Sequence, residues 1–126
     1  ANNKLPITYE IIGAFEGKNQ MQIINQILSE NPEVDGIFAT NDLFAAAFIN
    51  EARKRGKRIP EDIKVVGYDG TETSRSLLPD LTTIKQPIEM IARKAIDVLM
   101  KEIEGDFSYK KSHIAIPVTL LEGKTT

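Results

Sequence analysis

Apolar residues recur along this chain with two spacings, close to two residues and close to three and a half, and the alternation between them outlines the elements. From Leu5 to Ile12 the residues Ile7, Tyr9 and Ile11 alternate with Thr8 and Glu10, which predicts a strand closed by Gly13. From Glu16 to Glu30 the spacing lengthens. Met21, Ile24, Ile27 and Leu28 form a helical stripe among Gln20, Gln22, Asn25 and Gln26, and Asn31-Pro32 stops it. Val34 to Thr40 (VDGIFAT) reads as a short buried strand, and Asn41-Asp42 as a cap-competent turn. Leu43 to Arg55 reads as a helix with Phe44, Ala47, Phe48 and Ala52 on one face and Gly56 as its stop.

Ile63 to Tyr68 (IKVVGY) has the apolar centre of a strand covered on both faces. Asp69 to Asp80 (DGTETSRSLLPD) follows as a polar loop, and Leu81 to Lys85 as another strand. Pro87 then opens a helix whose stripe runs through Ile88, Ile91, Ala92, Ala95, Val98, Leu99 and Ile103 to Gly105. His113 to Leu121 completes the order as a strand with an edge or bulge at Pro117. Repeated strand–helix steps predict an α/β fold, a parallel sheet with helices on its faces.

Composition narrows the functions this fold can serve. With 126 residues the chain supports one folded domain, and with no Cys it lacks disulfides, thiolate nucleophiles and Cys-based zinc sites. Sixteen Lys and Arg against 18 Asp and Glu leave a net charge of -2, which provides no general attraction for nucleic acid or anionic lipid. The longest strongly apolar run, Leu43 to Ile49, is 7 residues, against the roughly 20 that a membrane span needs. No apolar core of a signal peptide follows the polar opening Ala1-Asn2-Asn3-Lys4.

In an open parallel sheet, ligands bind beyond the carboxyl ends of the strands, so the residues just after each strand are the first candidates. Asn41-Asp42 follows VDGIFAT, and Asp69 follows IKVVGY. Asn offers donors and an acceptor, and an ionised Asp accepts from neighbouring hydroxyls, which suits a neutral sugar or polyol. The same residues also serve as a helix cap and as a turn residue beside Gly70. The basic run Arg53-Lys54-Arg55-Gly56-Lys57-Arg58 closes a helix, where cations suit the dipole, and lacks interleaved aromatics, so it reads as a solvated face. His113 is the only His and has no Ser, Cys or second His beside it, and no glycine pattern matches a phosphate loop. No cofactor is expected.

Three strings, in order and with helix-length spacers, then carry a resemblance. They are Asp35 to Asp42 (DGIFATND) before an Ala-rich helix, Ile59 to Asp69 (IPEDIKVVGYD), and Pro79 to Pro87 (PDLTTIKQP). Together they resemble the effector-binding core of the lactose-repressor (LacI/GalR) family of bacterial transcription regulators. The resemblance implies a periplasmic-binding-protein-like, parallel-sheet three-layer α/β sandwich, here incomplete. About 1–84 would form the core of the C-terminal subdomain, and 85–126 the crossover, the helix of the other subdomain's layer and the final strand. The chain resembles the last third of such a regulator, without its helix-turn-helix domain.

The resemblance places Asn41 and Asp69 at positions that hydrogen-bond effector hydroxyls, in preference to the cap and turn roles, and Phe15 where an aromatic ring stacks on the sugar. Ile88 falls where an apolar ligand contact or a core role is met. It implies a cytoplasmic, non-enzymatic sensor that binds a small effector such as a sugar, reaches operator DNA only through the absent domain, does not contact membrane, and pairs as a homodimer. The Leu43 to Arg55 helix and Leu77-Leu78 are the apolar surface for that pairing. An importer's secreted sugar-binding protein shares the fold and is the alternative. A metal-assisted enzyme using Asp42 and Asp69 is a third reading.

Overall fold

The computed structural model describes residues 17–110 and 112–126, so the strand expected at Leu5 to Ile12 and the residue Phe15 lie outside the described residues. The first described element, α1 (Gly17–Glu30), buries Ile24, Ile27 and Leu28 as its spacing predicts. At its end the Asn31 amide N–H and side chain both donate to the Ile27 carbonyl. It packs on α2 (Asp42–Lys54), whose buried face is Ala45, Phe48, Ile49 and Ala52. Phe44 and Ala47 sit at the margin of that face rather than on it. Arg55 ties the two helices: its guanidinium donates to Asn25, Ser29 and Glu51. The basic run is thus partly spent on packing helices together, and Arg53, Lys54 and Arg58 stay exposed.

Strands β1 (Gly36–Phe38), β2 (Lys64–Asp69), β3 (Thr82–Lys85) and β4 (Thr119–Leu121) form one sheet in that order. β1 and β3 both pair parallel with β2, whereas β4 runs antiparallel to β3. β1 is shorter than the Val34 to Thr40 expectation and is not buried, Phe38 being exposed. The last strand is also shorter than expected. Pro117 has no N–H to give a ladder, and pairing begins only at Thr119.

The stretch expected to be a loop after β2 contains α3 (Glu72–Leu77). Thr71 caps it, its Oγ1 accepting from the Ser74 N–H at 3.1 Å. Too short to show an apolar stripe, this helix is set by its cap and not by periodicity. The final helix, α4 (Ile88–Ile103), has no buried residue, and Ile88, Ile91, Leu99 and Ile103 of its apolar stripe are exposed.

Candidate functional site

Three polar side chains come to the carboxyl edge of three neighbouring parallel strands. Asn41 follows β1, Asp69 ends β2, and Gln86 follows β3. The sheet register makes the second and third neighbours, since Asp69 lies opposite Lys85. The Gln86 backbone N–H donates to the Asp69 carbonyl at 3.1 Å, and its side-chain amide donates to Asp69 Oδ1 at 2.8 Å. Asp69 Oδ2 has no protein partner among the described residues, which leaves it as an acceptor at the strand end.

Asp69 adopts φ 128°, the one positive value among the described non-glycine residues. Such a conformation costs on the order of 1–3 kcal/mol and persists only where surrounding contacts impose it. Here the contacts are the Gln86 pair on one side and Gly70 on the other. Gly70, at φ 60°, presses against the backbone of Lys85 and has no room for a Cβ. The strand end is held tightly, so the carboxyl group is presented in one orientation.

Asn41 is the cap residue of α2. Its Oδ1 accepts from the Phe44 N–H at 2.7 Å, satisfying one of the free donors at the start of α2. The amide Nδ2 of the same side chain has no partner among the described residues, so the cap leaves a donor available. Asp42 is 1% exposed, and both of its oxygens accept from protein donors: Thr83 Oγ1 on one, Ser74 Oγ and the Gly70 N–H on the other. A metal ion on Asp42 and Asp69 would have to displace these bonds, and among the described residues no cluster of His, Asp or Glu suits an ion.

Ile88 is 57% exposed and so is not a core residue. It lines a cleft of about 700 Å³ between α3 and the start of α4, together with Gly70, Thr71, Arg75, Gln86 and Arg93. Nothing local to Gln86 in the sequence marks it beyond its place in the LTTIKQP string, and its partnership with Asp69 appears only when β2 and β3 are paired. His113 is exposed and takes no part.

Residues 4–126 match the model of the periplasmic binding protein-like domain. The chain is 35% identical to the ribose operon repressor of Bacillus subtilis over 95% of its own length and 37% of the repressor's. The chain belongs to the lactose-repressor branch of this domain family. Among solved structures, the regulator CelR in complex with cellobiose superposes with a TM-score of 0.78 at 28% identity, covering 90% of this chain and 35% of that one. The lac repressor dimer bound to operator and the anti-inducer ONPF superposes with a TM-score of 0.73 at 33% identity, covering 86% of this chain and 37% of that one. The chain spans about a third of the length of the relatives it matches. These relatives are named as transcription regulators rather than enzymes, and no described helix is long and apolar enough to cross a membrane.

Proposed function

We propose that this segment is the effector-sensing part of a cytoplasmic transcriptional repressor, and that it binds a sugar whose presence alters operator affinity through a separate DNA-binding domain. One observation carries the reading: Asp69 is held at a strained φ at the carboxyl end of β2, with one carboxyl oxygen engaged by Gln86 and the other without a partner among the described residues. Asp69 accepts from sugar hydroxyls, the Asn41 amide Nδ2 donates, and Phe15 covers an apolar face of the ring. The cellobiose complex of the regulator CelR and the lactose complex of another regulator of this family support a carbohydrate ligand. The ligand stabilises one arrangement of two subdomains, which is how binding at one site changes affinity at another.

The unburied stripe of α4 packs in this reading against the other subdomain of the sensor, and the protein works as a two-fold dimer. The importer reading has no observation in its favour. Calorimetry of the full-length protein with D-ribose, sucrose and cellobiose tests the proposal, with Asp69→Ala as the decisive variant. Hydrogen bonds to a charged group are worth about 1.5–3 kcal/mol, so the variant is expected to bind roughly tenfold to a hundredfold more weakly while keeping its operator affinity. Unchanged affinity removes Asp69 from the site.

A further inference from the structure

Asp42 is the one buried carboxyl group among the described residues, and its surroundings connect the candidate ligand groups. Burying a carboxylate is unfavourable unless its oxygens are hydrogen-bonded, and here they gather donors from three separate segments. The Gly70 N–H reaches Oδ2 at 2.9 Å from the turn after β2, Ser74 Oγ reaches the same oxygen from α3, and Thr83 Oγ1 reaches Oδ1 from β3. Gly67 in β2 leaves the space this carboxyl group fills. Asp42 is the chain neighbour of Asn41, and the amide it binds belongs to the chain neighbour of Asp69. Thr83 lies in the strand that leads directly to Gln86.

We propose that Asp42 is a positioning residue for effector recognition: by gripping Gly70 and Thr83 it sets Asp69 and Gln86 relative to Asn41 and imposes the positive φ of Asp69. This rests on the reading of Asp69 as an effector ligand. A cap or a first-turn acid at the start of α2 needs no burial, and an exposed Asp would serve the helix dipole equally well. Joining three segments at the ligand-binding edge is what requires the group to be inside.

The test is made in the full-length protein with Asp42→Asn, which keeps the side-chain shape and removes one acceptor oxygen. Affinity for whichever of D-ribose, sucrose or cellobiose binds the wild-type protein is expected to fall tenfold or more. In an Asp69→Ala background the same substitution is expected to change affinity less than twofold, because the group being positioned is gone. Equal losses in both backgrounds, or no loss in the single variant, overturn the proposal. If Asp42→Asn does not fold, Thr83→Val takes its place. That variant removes the β3 anchor and keeps the Gly70 bond, with an expected loss of threefold or more, and an unchanged affinity overturns the proposal. A ligand-free arm separates this proposal from the effector reading: the side-chain amide resonances of Gln86 are expected to shift in the variant. If none of the three sugars binds the wild-type protein, the effector reading fails, and unmoved Gln86 resonances then overturn the positioning role independently.

Discussion

Gly67 and Asp42 share one space: a Cβ on Gly67 would fall onto Asp42 Oδ1, with Leu81 Cδ2 at 3.0 Å and Thr83 Oγ1 at 3.2 Å. The buried carboxyl group and the bare backbone are each a condition of the other. Gly67→Ala is therefore expected to destabilise the full-length protein by about 1–3 kcal/mol, the usual cost of overpacking a well-filled interior. Urea unfolding measures this, and a midpoint equal to wild type would show that Asp42 can move aside freely.

Thr125 extends the sheet on the side of β2 away from β1, at Val65, where β3 has not yet begun. Its hydroxyl donates to the Val65 carbonyl at 2.7 Å and accepts from the Thr82 N–H at 2.9 Å, while its own carbonyl accepts from the Val65 N–H. Thr125→Val keeps the volume but leaves buried backbone groups unpaired, each costing about 1–3 kcal/mol. A stability loss of about 2 kcal/mol is expected for Thr125→Val and less than half of that for Thr125→Ser, both read from urea midpoints.

The loop before β2 is clamped by Arg58 and Asp62. The Arg58 side chain first, and its backbone N–H second, hold the Asp62 carboxyl group well below its ordinary value of 3.8. A carboxyl group with a lowered folded-state pKa adds stability above its ordinary pKa, and that stability is lost as pH falls toward the folded value. Asp62→Asn is expected to melt below wild type at pH 7, and the gap should narrow as pH is taken below about 3.8. Thermal melts across that window check the sign, which a pH-independent gap would contradict.

Leu77, 68% exposed at the end of α3, stands beside a groove of about 210 Å³ lined by Ile49, Leu78 and Leu81. As part of the proposed two-fold contact it should not tolerate charge. Leu77→Glu is expected to turn a dimer into a monomer at micromolar concentration, with melting little changed at equal monomer content. Sedimentation that finds the variant and wild type in the same state would move the contact elsewhere.

Much of this is legible in the sequence. Ile24, Ile27 and Leu28 declare α1 by their spacing, and IKVVGY declares a strand with Asp69 just beyond it. Thr71 and Ser74 announce α3 only through a cap, a signal weaker than an apolar stripe, so six helical residues read as loop. Asn41 illustrates a different limit. From its position the same side chain suits a cap and a ligand contact, and in the structure Oδ1 serves the cap while Nδ2 has no partner among the described residues.

The sequence by itself determined the order of the described elements other than α3, the sheet edge at which Asn41 and Asp69 emerge, and the family, because apolar spacing and local motifs act over a few residues at a time. Only the tertiary structure decided which groups meet there. Gln86 lies 17 positions from Asp69, and Thr83 lies 41 from Asp42. Nothing in either neighbourhood records a partner at that distance. Strand register brings the first pair together, and the burial of a carboxyl group that must find donors brings the second.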